Sequence, residues 1–141
     1  MKVFIDTGAL IALFVKKDYW HKICFEKHKE YKKENSLFFT NLFVLSEFYT
    51  RILYDYGKST LKLVMDKIIK LQDEGKLRIF QIDAGVFKNS EEAMIKFAEH
   101  RLSFTDVSIY ALVKSFKLDE VFTLDDGFKK VGLKTSFANI S

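Results

Sequence analysis

Two short runs, apolar but for one threonine, constrain this fold more than any other feature of the sequence: Val3-Phe4-Ile5, closed by Asp6, and Val121-Phe122-Thr123-Leu124, closed by Asp125. A strand with one wet face alternates polar and apolar residues, whereas a run apolar on both sides belongs in a parallel sheet that is covered above and below. Leu37-Phe38-Phe39-Thr40 reads as a further strand, and Leu77 to Ile82 as one approaching alternation. Helical periodicity covers about Tyr19 to Glu34, Leu42 to Tyr56, Ser59 to Glu74, Ala84 to Arg101 and Phe104 to Lys117, with Gly57 and Gly75 placed to end helices. Strands alternating with helices predict an α/β fold, a sandwich around a mainly parallel sheet. Thr7-Gly8 reads as a turn before the apolar run from Ala9, and Lys134 to Ile140 as a candidate edge strand.

The 141 residues, 48% of them hydrophobic, suffice for one core, and without proline, a Gly- or Ser-rich linker or a repeat they predict a single domain, 1–141. The single cysteine, Cys24, excludes an intrachain disulfide and a Cys-based zinc site, and points to a reducing cytoplasm. Ala9 to Val15 is far shorter than the roughly 20 residues of a membrane span. Asp6 interrupts the apolar stretch after Lys2 and no small-residue cleavage site follows, so the N-terminus reads as mature protein rather than a signal peptide. A net charge of +4 rules out a histone-like polycation and favours a nucleic-acid partner only mildly. Twenty of the basic residues are Lys and three are Arg, which argues against a surface of many bidentate Arg contacts.

Four acids stand out. Asp6 and Asp125 follow strands, and the carboxyl ends of parallel strands line the ligand crevice of open sheets, although either acid can instead simply cap the helix that follows. Asp106 completes a capping box with Ser103, and also lies in line with Ile109, Tyr110 and Val113 on the apolar stripe of its helix. Glu47 lies roughly opposite the stripe of Leu45, Phe48, Tyr49, Ile52 and Tyr56, where Arg51 offers an ordinary ion pair one turn later. Carboxylates gathered in one cleft repel, and a hard divalent cation, magnesium or manganese, resolves that repulsion and can activate water against a phosphodiester. Thr7 and Thr123 stand near enough to orient a carboxylate.

Other signals are weaker. Lys16, Lys17, Lys22, Lys27, Lys29, Lys32 and Lys33, interleaved with Tyr19, Trp20 and Phe25, suit RNA contact, but Asp18, Glu26, Glu30 and Glu34 dilute them into an ordinary mixed-charge helix face. His21, His28 and His100 form no HExxH-type pair, and neither a nucleophile elbow nor a Walker loop is present.

Taken in order, Val-Phe-Ile-Asp6-Thr7, Leu-Ser-Glu47-Phe, Leu-Ser-Phe-Thr-Asp106 and Thr123-Leu-Asp125-Asp-Gly-Phe128 resemble the PIN-domain ribonuclease family over nearly the whole chain. The resemblance implies a three-layer α/β/α sandwich whose acidic pocket binds magnesium or manganese and hydrolyses RNA. It implies Asp6 and Asp106 as principal metal ligands, Glu47 and Asp125 completing the cluster, and Thr7 and Thr123 in support, with Asp126 a possible substitute for Asp125. The family often has Ser where this chain has Gly8. Small members resemble the toxins of VapBC modules, which implies a VapB-type antitoxin and a homodimer. Standalone RNA-processing PIN nucleases share the motif set, and a noncatalytic PIN-like scaffold for RNA or protein is the rival from another class. A phosphoaspartate signalling domain would need paired acids near the first strand, which this sequence lacks.

Overall fold

A computed structural model describes residues 1–137. Strands β1 (Lys2–Ile5), β2 (Leu37–Asn41), β3 (Arg78–Phe80) and β4 (Glu120–Phe122) form a parallel sheet in the order β3-β2-β1-β4. The central strand carries the expected double-sided burial: Val3 and Phe4 are fully buried, and Phe4 stands opposite Phe39 on one side and Val121 on the other. At the edge, β3 is more exposed, which accounts for its partial alternation.

The helices are α1 (Thr7–Phe14), α2 (His21–Lys33), α3 (Leu42–Tyr56), α4 (Lys58–Asp73), α5 (Ala84–Lys96), α6 (Phe104–Phe116) and the short α7 (Gly127–Lys130). They complete the α/β/α sandwich and match the expected segments closely at α2, α3, α4 and α6. At Gly57, φ is +90°, so glycine fits this point, where its N–H closes α3 on the Leu53 carbonyl and its own carbonyl starts α4.

Several boundaries differ from expectation. Thr7-Gly8 is no turn: α1 begins at Thr7, directly after Asp6, and its Thr7, Ala9, Leu10, Ile11 and Ala12 are all buried. A helix buried on nearly every side shows no amphipathic period, which hid it in the sequence. The segment from Ala84 to Arg101 divides at Phe97, whose ring packs edge-on against Tyr110 at 4.8 Å, and a 3-10 turn (Ala98–His100) follows. β4 stops at Phe122, so Asp125 lies beyond the strand, in the loop that leads to α7. Of the stretch from Lys134 to Ile140, Thr135 makes one parallel bridge with Val121, and residues 138–140 lie outside those described. Among the described residues, no helix is long and apolar enough to cross a membrane.

The sheet order positions the site. From β1 the chain passes to β2 on one side, while β4 returns on the other, so the two segments leaving the carboxyl ends of β1 and β4 flank the reversal of strand order. The Asp6 N–H donates to the Phe122 carbonyl (3.0 Å), joining these two strand ends directly.

Candidate active site

Asp6 caps α1, one carboxylate oxygen accepting from the Thr7 N–H at 2.7 Å. Its other oxygen accepts from the Thr123 hydroxyl at 2.9 Å. That hydroxyl in turn accepts from the Asp125 N–H at 3.0 Å, and the Asp125 carboxylate accepts from the Gly127 N–H at the start of α7. Thr123 is itself buried and held by Ser136, whose hydroxyl accepts from the Thr123 N–H (3.1 Å) and donates to its carbonyl (3.2 Å).

The capping box on α6 is formed: the Ser103 hydroxyl accepts from the Asp106 N–H, and the Asp106 carboxylate accepts from the Ser103 N–H, each at 3.0 Å. Capping leaves Asp106 facing the cleft, so this one side chain does both things open to it in the sequence. Glu47 points away from its own helix's core, as its spacing requires. Its two oxygens accept from the Thr7 hydroxyl of α1 (2.9 Å) and the Thr105 hydroxyl of α6 (3.1 Å). The ion pair expected between Glu47 and Arg51 is not formed, because these threonines hold the carboxylate elsewhere.

These groups line one open cleft of about 420 Å³: Asp6, Glu47, Asp106 and Asp125, with Thr7, Gly8, Arg51, Thr123 and Leu124. Asp126 is absent from its lining and exposed at the start of α7. Burial pushes the Asp6 carboxyl up to about 7; its bonds from Thr7 and Thr123 pull the other way, and the charges of Asp106 and Asp125 raise it further. Asp106 is also raised, chiefly by burial, with Asp125 and Glu47 adding repulsion against the lowering effect of Ser103. The cleft thus holds negative charge in excess of what its own donors relieve.

Among the described residues, no three His, Cys, Asp or Glu side chains are grouped tightly enough to enclose a metal ion by themselves. The side-chain atoms lining the cleft that can ligate a metal are all oxygens, however, and magnesium characteristically takes one or two carboxylates while keeping several waters. The residues therefore suit a hydrated hard cation rather than a closed cage. The Lys-rich α2 satisfies part of its charge on its own surface, through Lys27–Glu30 and Lys29–Glu26 pairs at 3.3 Å each.

Thr105, Ser136 and the cleft position of Arg51 were not legible as site features. Thr105 stands inside the Asp106 motif but reads there as an ordinary first-turn residue. Ser136 carries no local signal, since its role depends on the return of the chain past β4.

Solved structures with a similar fold include three from bacteria. They are VapC20 of Mycobacterium tuberculosis, described as a sarcin-ricin loop cleaving toxin (20% identity, 93% of this chain and 95% of that one, TM-score 0.77); VapBC2 of Rickettsia felis bound to a promoter DNA fragment (17%, 96% and 97%, TM-score 0.71); and FitAcB of Neisseria gonorrhoeae (14%, 94% and 95%, TM-score 0.66). At these identities the likeness is one of fold. No curated protein matches the sequence. The sequence pattern of the PIN domain matches residues 3–134, nearly the whole chain and all four acids of the cleft, and the chain therefore belongs to the PIN domain family.

Proposed function

We propose that this protein is a metal-dependent ribonuclease that hydrolyses RNA phosphodiester bonds, as the toxin of a VapBC-type pair. One observation carries the reading: Asp6, Glu47, Asp106 and Asp125, from four separate segments, line the same open cleft and are held there by hydroxyl and backbone donors. An extended polymer needs such an open site.

Asp6 and Asp106 are the principal ligands for Mg²⁺ or Mn²⁺ in this reading, with Glu47 and Asp125 completing the set directly or through water. A bound ion of this kind acts as a Lewis acid toward the phosphoryl oxygens and eases deprotonation of water for in-line attack. The chain's own part is preorganisation. Thr123 and the Thr7 N–H fix the Asp6 carboxylate, Thr7 and Thr105 fix Glu47, and the capping box fixes Asp106, so little reorganisation is left for the moment of reaction. The excess negative charge also suits an antitoxin that inserts a basic side chain, and the likeness in fold to VapBC2 supports an antitoxin as partner. A homodimer is part of the same proposal.

The test is cleavage of a mixed cellular RNA pool by wild type and Asp6→Asn, each with magnesium, manganese or chelator. The reading requires cleavage by wild type with metal and its loss in the mutant and in chelator. Equal cleavage by both proteins, or none by folded, metal-supplied wild type, would move the noncatalytic scaffold ahead.

A further inference from the structure

Among the described residues, Arg51 is the one basic residue lining the acidic cleft, and it forms no ion pair with any acid there. It lies on α3 one turn beyond Glu47, the spacing and order at which a Glu–Arg pair on a helix surface ordinarily forms. Both Glu47 oxygens are instead occupied by hydroxyls, that of Thr7 at 2.9 Å and that of Thr105 at 3.1 Å. Among the described residues, Arg51 makes no ion pair, and its exposed guanidinium keeps its five donors uncommitted.

A cation placed to neutralise this cleft would be drawn onto a carboxylate. Here the Thr7 and Thr105 hydroxyls hold the Glu47 carboxylate, which leaves the acids available to a metal and the guanidinium available to an anion. The other two arginines stand elsewhere, Arg78 on the edge strand β3 and Arg101 after the 3-10 turn. In a chain whose basic residues are otherwise Lys, the cleft thus has the group that matches phosphate geometry with two parallel N–H donors.

We infer that Arg51 binds a backbone phosphate of the RNA strand lying in the cleft, a contact that anchors the strand without reading its bases. The inference rests on the ribonuclease reading for its ligand class. It assigns Arg51 to substrate binding rather than to metal ligation or to the stability of α3.

The experiment measures binding of a short single-stranded RNA to the Asp6→Asn protein, alone and combined with Arg51→Ala or Arg51→Lys, across a salt series with magnesium, alongside cleavage by Arg51→Ala in the otherwise wild-type chain. Loss of the contact should weaken binding about tenfold and flatten the slope of log affinity against log salt by about 0.7, the value for one phosphate on a single strand. Arg51→Lys should restore the slope, which reports charge, but not the full affinity, which needs the two-pronged geometry. Cleavage efficiency should fall about as much as affinity. Unchanged affinity, slope and cleavage in Arg51→Ala, with wild type active, overturns the inference and leaves the nuclease standing. Weaker binding with an unchanged slope also overturns it, since that is the mark of a structural role. If wild type cleaves nothing, the nuclease reading fails, and the binding slope still decides whether Arg51 holds phosphate.

Discussion

The Thr123 hydroxyl donates to the Asp6 carboxylate across 2.9 Å, although the two residues are 117 positions apart in the chain. The same oxygen accepts from the Asp125 N–H, so one buried threonine couples the acid after β1 to the acid in the loop after β4.

Thr123→Val keeps the shape of the side chain and removes both bonds. The Asp125 N–H is left without its acceptor, at a cost of about 1–3 kcal/mol. Asp6 also loses a donor that favours its ionised form, so its pKa should rise further. Denaturant melts of Thr123→Val beside wild type check this, and a valine variant as stable as wild type would show that the hydroxyl contributes nothing.

At Asp106, capping and charge can be separated. Asp106→Ala removes the return bond of the capping box and should cost about 1 kcal/mol. Asp106→Asn keeps an acceptor for the Ser103 N–H while relieving repulsion from Asp125 and Glu47, so above neutral pH it should melt no lower than wild type. Both should lose cleavage by at least about tenfold. An active Asp106→Asn would reduce this residue to a helix cap.

The raised pKa of Asp6 sets a pH dependence of stability. The folded value is about 7, against 3.8 for the ordinary side chain, so between those values the folded chain holds more protons than the unfolded one. Stability from this group is complete below about pH 4 and drains away as pH rises through 7. In chelator, the melting temperature of wild type relative to Asp6→Asn should therefore decline across that window and level off above it. Parallel curves would contradict the assignment.

Magnesium and manganese should reverse that loss. A cation competes with the proton on Asp6, so its stabilising effect should be larger at pH 8 than at pH 6. At a concentration about 100 times its Kd, it should approach about 2.7 kcal/mol. Thermal melts with and without metal measure this, and an equal shift in Asp6→Asn would place the ion elsewhere.

The candidate site was largely legible in the sequence because its acids sit in local contexts that also form secondary structure. Asp6 and Asp125 follow apolar runs, and Asp106 completes a capping box; each context both announces the residue and holds it in place. The α/β layering was legible for a related reason, since unbroken apolar runs such as Val3-Phe4-Ile5 fit only a doubly covered sheet. Helix α1 escaped because burial on nearly all sides erases periodicity. Ser136 and the pairing of Glu47 with Thr7 and Thr105 escaped because each depends on distant segments meeting in space.

The pairing of β1 with β4 bears on how the molecule is made. The acceptor of the Asp6 N–H, the Phe122 carbonyl, is added by the ribosome more than a hundred residues after Asp6 itself. Ser136, which braces Thr123, comes later still. A nascent chain halted before Glu120 leaves β1 unpaired along one edge and Asp6 without its threonine. The full set of acids, and the threonine that couples two of them, can therefore come together only after translation has passed Asp125.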